Sequence, residues 1–261
     1  MKKNLLIDNP TISKVIFYPR KTKIPEKLDS NIQVLKFEIF DNISIGGFFF
    51  GTNTENPTIL LFHGNGEVAF DYQHISQLFL DCNVNLAVVD FRGFGFSSGE
   101  PFFCLISDAM PIYDAFREWI TEMNYLDSLF VQGRSLGSVC AAEIGAHNPP
   151  KLRDVIFESG FASVFNMMTD LFGVRSPYLT PDSLKEYSND TRVKKFKVPT
   201  LLIHGTTDRI IPSSESQLLY QNLPNSVEKK LVLINEAGHN NILSFNQEYF
   251  LPLSDFVQKF K

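Results

Sequence analysis

The residues of this chain best suited to chemistry are Ser135, Asp208 and His239, and each follows a short apolar run. Ser135 stands in Gly133-Arg134-Ser135-Leu136-Gly137, after Leu129-Phe130-Val131-Gln132 and before Ser138, Val139, Cys140, Ala141 and Ala142. An apolar strand that runs into Gly-x-Ser-x-Gly and leaves through small, helix-compatible residues is a nucleophile elbow. The turn is tight enough to require glycine on both sides of the serine, and it lifts the hydroxyl above the strand end. A serine hydroxyl attacks a carbonyl only when a base takes its proton, so a histidine and an acid should stand within reach.

Both occur downstream. Val198 to Ile203 is an apolar run leading into His204-Gly205-Thr206-Thr207-Asp208, and Lys230 to Ile234 leads into Asn235-Glu236-Ala237-Gly238-His239. Of the five histidines, His74 and His147 fall in predicted helices, and His63 and His204 end strands directly before glycine. Only His239 lies in a loop after the last strand. Glu158, at the end of the preceding apolar run, competes with Asp208 for the acid role. Asp208 is favoured because its strand comes later and its loop is polar; Glu158 is then expected to fix a loop near the site or to be solvated.

The order Ser135, Asp208, His239 resembles that of the α/β-hydrolase superfamily, and in particular its small serine hydrolases with esterase, acyl-thioesterase and peptidase members. The resemblance runs from about Asn31 to the C-terminus. It rests also on His63-Gly64-Asn65-Gly66 and on the loop from Asp90 to Gly99, Asp90-Phe91-Arg92-Gly93-Phe94-Gly95-Phe96-Ser97-Ser98-Gly99. It implies an oxyanion hole built from the backbone N–H groups of Leu136 and Asn65. The Asp90–Gly99 loop is expected to be structural, tied by Asp90 and Arg92, with Phe94 and Phe96 as candidate pocket walls. It is not a dinucleotide loop, because its glycines miss the full Gly-x-Gly-x-x-Gly spacing and Gly99-Glu100-Pro101 opens no helix. Dehalogenase and epoxide-hydrolase relatives carry Asp at the elbow, so their chemistry is disfavoured here.

These residues need a frame. Gln33–Phe40 and Ser44–Gly51 read as a β-hairpin around Asp41-Asn42. Short, nearly continuous apolar runs at 58–62, 85–90, 128–132, 154–158, 200–204 and 230–234 suit strands buried on both faces. Residues 71–80 and 108–123 carry apolar side chains at helical spacing. Alternating strands and helices predict an α/β fold with a mostly parallel, doubly wound sheet led by an antiparallel hairpin. All 261 residues fit one such domain.

Residues 160–197 exceed what one crossover helix needs. They form either a small helical cap over the site or a surface helix whose apolar face packs on the sheet. Phenylalanine is abundant, at 25 residues. Because strand neighbours alternate faces, Phe48-Phe49-Phe50, Phe102-Phe103 and the aromatic 160–197 segment are not expected to point inward together. An apolar acyl pocket would use some of them; core and hairpin support would use the others.

The net charge, 24 − 29 = −5, gives no electrostatic basis for binding nucleic acid. Lys2-Lys3 precedes only Leu5-Leu6-Ile7, too short for a signal-peptide core, and no run approaches the length of a membrane span. Cys82, Cys104 and Cys140 read as reduced thiols, so a cytoplasmic location is expected. No metal-ligand spacing is present and no cofactor is expected. The function expected is cleavage of a carboxylic ester or acyl thioester, a small-molecule or acyl substrate, through an acyl-enzyme on Ser135. A peptidase on the same residues is the alternative, as is an idle binding module on this fold.

Overall fold

The computed structural model describes residues 10–101 and 104–261; the Lys2-Lys3 and Leu5–Ile7 segment and Phe102-Phe103 lie outside the described residues. The strands are β1 (Ile32–Phe40), β2 (Ile43–Phe50), β3 (Thr58–Phe62), β4 (Asn85–Val89), β5 (Leu129–Arg134), β6 (Leu152–Glu158), β7 (Thr200–Gly205) and β8 (Lys229–Ile234). They form one eight-stranded sheet in the order β1-β2-β4-β3-β5-β6-β7-β8. β2 pairs antiparallel with β1 and β4, and every pair from β4 to β8 is parallel. The leading hairpin turns at Asp41-Asn42, where Asn42 takes φ +64°, a left-handed conformation that asparagine tolerates.

Both faces of the central strands β3 to β7 are covered, and this explains their continuous apolar runs; β8, at the edge of the sheet, is not buried on both faces as its apolar run suggests, and leaves Leu233 exposed. Phe48 and Phe50 face one layer with Tyr72, Phe79 and Tyr249, and the long C-terminal helix Asn246–Phe260 seals that side. Phe49 faces the other layer, against Trp119 and Tyr125 at ring distances of 5.1 and 4.7 Å. The helices Leu105–Glu122, Ser138–His147 and Ser213–Asn222 cover that face. Whereas Phe165 and Phe172 of the 160–197 segment are only partly buried, all three of these strand phenylalanines are therefore buried. Alternation separates their directions, but here both directions lead into core. Full burial of each ring contributes about 1.5–3 kcal/mol.

Residues 71–80 are not one regular helix. A 3₁₀ turn, Ala69–His74, precedes a short α-helix, Ser76–Leu80, so that Tyr72 and Phe79 both reach the sheet. The 160–197 segment is likewise a chain of short helical turns, at Val164–Asn166, Met167–Leu171, Pro181–Leu184, Lys185–Tyr187, Asn189–Arg192 and Val193–Lys195. It is pinned at both ends. Glu215 accepts from the backbone N–H of Ala162 at 2.7 Å and of Ser163 at 3.1 Å. Asn189 Nδ2 donates to Phe161 O at 2.8 Å and to Ser138 Oγ at 3.1 Å.

The parallel strands end on a common line. Phe62 is level with Gly133, Arg134 with Glu158, Glu158 with Ile203, and Gly205 with Ile234. In open parallel sheets, ligands bind in the crevice beyond this carboxyl edge.

Candidate active site

Ser135 follows the last residue of β5 with φ +50°, a conformation that residues with a side chain rarely adopt. Such strain costs about 1–3 kcal/mol and persists only where the surroundings impose it. They do so here. A Cβ at Gly133 would lie 2.6 Å from Gly137 O and 2.7 Å from Ser138 Cα, and one at Gly137 would collide with the carbonyl of Phe62. The elbow is thus wedged between β3 and its own helix.

The loops after β7 and β8 are joined by backbone bonds. Thr206 N donates to Ile234 O and Thr207 N to Ala237 O, both at 2.9 Å, and any side chain at Gly205 would strike the Ala237 carbonyl. This fusion brings Asp208 beneath His239. His239 Nδ1 is 2.7 Å from Asp208 Oδ2, and His239 Nε2 is 3.0 Å from Ser135 Oγ. A carboxylate only accepts, so Nδ1 carries the proton and the Nε2 lone pair faces the serine hydroxyl. Ser135, Asp208 and His239 are therefore brought together in one line.

Asp208 is buried. Burial alone would raise its pKa, but hydrogen bonds from His204, His239 and the Ile211 N–H outweigh it and hold the group well below the usual carboxylate range. Oδ1 accepts from the N–H groups of Ile210 and Ile211, each at 2.9 Å.

Glu158 stands elsewhere. It is 1% exposed, so it is not solvated, and it meets no imidazole. Arg134 Nη1 donates to its Oε1 at 2.5 Å, and Tyr249 Oη and Gln132 Nε2 donate to its Oε2 at 2.7 and 2.8 Å. Arg134 also donates from Nη2 to His239 O at 3.1 Å, so Glu158 touches the histidine loop only through this guanidinium.

Asn65 and Leu136 line the same cavity as Ser135 and His239, as does Gly64. The side chain of Asn65 is engaged by the backbone of another segment. Oδ1 accepts from Tyr18 N at 3.0 Å and Nδ2 donates to Ile16 O at 2.6 Å, which straps the segment after the Pro10–Ile16 helix onto this loop. His63 is buried beneath the loop, with Nδ1 donating to Gly64 O at 2.7 Å and its ring 4.4 Å from that of Phe91. His74 and His147 are exposed.

The cavity has a volume of about 290 Å³. Its walls are Phe161, Met167, Leu171 and Phe172 from the 160–197 segment, Ile210 and Ile211 from the Asp208 loop, and Tyr18. Phe94 and Phe96 do not line it. Phe94 is fully buried against His63 and Phe91, and Phe96 packs on Phe48, because the Asp90–Gly99 loop folds back over β2 instead of toward the elbow. Nor do Asp90 and Arg92 tie that loop to itself with their side chains. Arg92 reaches Asp108 with two bonds of 2.5 Å, and Asp90 Oδ1 accepts from Ala69 N at 2.8 Å. Ser97 Oγ closes the loop instead, donating to Asp90 O at 3.0 Å.

Sequence reasoning passed over Tyr18, which lies before the stretch of resemblance. It also treated His204 as a strand end, although its i, i+4 spacing to Asp208 was a usable signal: Nε2 lies 3.2 Å from Asp208 Oδ2. Among the described residues no three His, Cys, Asp or Glu side chains are grouped to hold a metal ion, and no helix is long and apolar enough to cross a membrane.

Comparison with known proteins identifies the family. The family model described as Serine aminopeptidase, S33, matches residues 54–180 and 187–244. The chain belongs to this family of α/β hydrolases. The break in the match, 181–186, falls inside the 160–197 segment, among its short turns. Among curated relatives of this family member, the protein bem46 of Schizosaccharomyces pombe is 24% identical over 94% of this chain and 85% of its own length. The uncharacterized protein YfhR of Escherichia coli is 29% identical over 90% of this chain and 83% of its own length. The solved structure of the Pyrococcus furiosus esterase Pf2001 superposes with a TM-score of 0.73 over 94% of this chain and 97% of that one, at 16% identity, a likeness of fold. The family member has the α/β-hydrolase fold, and the comparisons support hydrolase activity on it.

Proposed function

We propose that this protein is a serine hydrolase that cleaves carboxylic esters or acyl thioesters through an acyl-enzyme on Ser135. The observation that carries the proposal is the line from Ser135 Oγ to His239 Nε2, 3.0 Å, and from His239 Nδ1 to Asp208 Oδ2, 2.7 Å, at the base of an apolar cavity. In the reaction, His239 takes the hydroxyl proton as Ser135 Oγ bonds to the carbonyl carbon. The carbonyl π electrons move to oxygen, where the N–H groups of Leu136 and Asn65 receive the charge. Collapse of this intermediate expels the alcohol or thiol, which leaves with the proton from His239. Water then repeats the sequence on the acyl-enzyme and frees the acid. Asp208 stays ionised throughout and holds the imidazole in the tautomer that accepts from serine.

The family description favours a second reading, removal of N-terminal residues from peptides. That activity calls for an uncommitted acid to receive the substrate ammonium. Among the described residues lining the cavity the only carboxylate is Glu67, and both its oxygens are occupied, by Arg134, Gly64 N and Tyr72 Oη. Asp170 and Glu215 line only the adjoining cavity, so the space over Ser135 itself favours esters over aminoacyl amides.

The test compares p-nitrophenyl esters of short to long acyl chains, acyl-CoA thioesters and aminoacyl anilides, using the wild-type protein and Ser135→Ala, with fluorophosphonate labelling alongside. Ester or thioester turnover and labelling that both vanish in Ser135→Ala are expected. Turnover surviving in Ser135→Ala, or a folded wild-type protein that is neither labelled nor active, would overturn the proposal.

A further inference from the structure

Arg134 is the variable residue inside the elbow motif, and the mechanism above gives it no task. A charged side chain at the end of a buried strand is costly unless it is fully paired. Here it is 7% exposed and each nitrogen is used. Nε donates to Glu67 Oε1 at 2.7 Å, Nη1 to Glu158 Oε1 at 2.5 Å, and Nη2 to His239 O at 3.1 Å. Burial would weaken its hold on the proton, but the two carboxylates more than reverse this and raise its pKa. Glu67 is held ionised in turn: burial opposes the charge, and Arg134 overcomes the opposition.

The other oxygen of Glu67 is what gives this pair its significance. Oε2 accepts from the backbone N–H of Gly64 at 2.8 Å and from Tyr72 Oη at 2.8 Å. Gly64 precedes Asn65, the proposed second oxyanion donor. One planar fork thus connects the loop after β3, the elbow and the loop that carries His239. Each of those loops supplies one part of the reacting centre, and they come from distant stretches of the chain.

We propose that Glu67 and Arg134 are a positioning pair that sets the oxyanion-binding loop in register with His239 for the acyl-transfer step. The inference rests on the serine-hydrolase reading above. Its content is that the pair acts on the transition state, not on substrate affinity and not merely on folding. A planar guanidinium can serve three acceptors in fixed directions, whereas a lysine ammonium cannot span them. An amide at 67 is equally unsuited. Gln offers one acceptor and one donor group where the site needs two acceptors, so with its oxygen toward Arg134 its NH₂ confronts Gly64 N–H.

The experiment measures kcat, KM and the affinity of an alkyl boronic acid, which mimics the tetrahedral intermediate, for wild type, Glu67→Gln, Arg134→Lys and the double variant, well below each thermal transition. Losing one oxyanion donor costs about 10²–10³ in rate; a donor displaced but not deleted should cost about 10- to 100-fold in kcat. Glu67→Gln is expected to lower kcat by that amount, to weaken the boronic acid by a similar factor, and to leave KM within about threefold. The double variant should lose little more than the worse single one, since the two act as a unit. Glu67→Gln is a near-isosteric change at a partly exposed side chain, so it carries the test if Arg134→Lys does not fold. A lower melting temperature with kcat and boronic-acid affinity within threefold of wild type, or a raised KM at unchanged kcat, would overturn the inference. Activity retained in Ser135→Ala would instead overturn the serine-hydrolase reading beneath it.

Discussion

His204 and His239 approach the same oxygen of Asp208, at 3.2 and 2.7 Å. His204 is fully buried, with Nε2 also 2.8 Å from Ile211 O and Nδ1 2.6 Å from Ser216 Oγ. A carbonyl only accepts, so His204 carries a proton on Nε2, while Nδ1 is hydrogen-bonded to the Ser216 hydroxyl. Both of its ring nitrogens are thus hydrogen-bonded, and neither is free to act on a substrate. It braces the turn from Asp208 to Ile211, whose N–H groups bind the other carboxylate oxygen. The acid is thus fixed from three sides before His239 reaches it.

Replacing that acid should uncouple the imidazole from the serine. In Asp208→Asn, an NH₂ group facing His239 would force Nδ1 to accept and would put the proton on Nε2, against Ser135. The corresponding change in a serine protease costs about 10⁴-fold. Asp208→Asn is expected to lower kcat by at least about 100-fold, and Glu158→Gln by far less, because Glu158 meets Arg134 and not the imidazole. Steady-state ester hydrolysis checks this; an active Asp208→Asn beside an inactive Glu158→Gln would move the acid to β6.

Much of this site was legible because its signals are local. Glycines at 133 and 137 are required by the turn they flank, and Asp208 and His239 follow the strands that lift them. The missing parts are contacts between remote segments. Arg134 meets Glu67 across 67 residues, and Tyr18 meets Asn65 across 47. No pattern within a window announces either pairing. The aromatic loop after β4 misled for a related reason. Its phenylalanines are placed by the packing of β2 and of His63, not by proximity to the elbow in sequence. Whether Glu158 fixes a loop near the site or is solvated was open in the sequence because its partners, Arg134, Gln132 and Tyr249, sit on other elements; in the structure it is buried and meets the histidine loop through Arg134.

Asp154 gives a prediction about stability and pH. It lies on β6, fully buried, with neither carboxyl oxygen hydrogen-bonded, and burial raises its pKa well above the ordinary value of 3.8. Below that value the group is protonated in folded and unfolded chains alike, and ionisation costs nothing. As pH rises past it, only the unfolded chain ionises freely, so stability falls until the folded pKa is reached, by up to about 1.4 kcal/mol per pH unit. Asp154→Asn removes this linkage. Urea unfolding between about pH 5 and pH 8 should find that the stability of the variant relative to wild type rises with pH. A difference independent of pH would contradict the assignment.

Met167 tests whether the 160–197 segment selects the acyl chain. It is buried, and it lines both the cavity over Ser135 and an adjoining one of about 300 Å³, together with the buried Phe161 and Ile211 and the exposed Leu171 and Ile210. An acyl chain that runs from the first cavity into the second passes this partition. Each methylene buried there contributes about 0.8 kcal/mol, roughly fourfold in kcat/KM. Met167→Trp adds bulk at the partition without touching the Ser135–His239–Asp208 line. Butyryl ester hydrolysis should stay within about threefold of wild type, while kcat/KM for a dodecanoyl ester falls by at least about tenfold, the equivalent of losing two or so buried methylenes. Equal losses on both esters would mean that the substitution disturbs the elbow, and no loss on either would mean that the acyl chain leaves the site by another side.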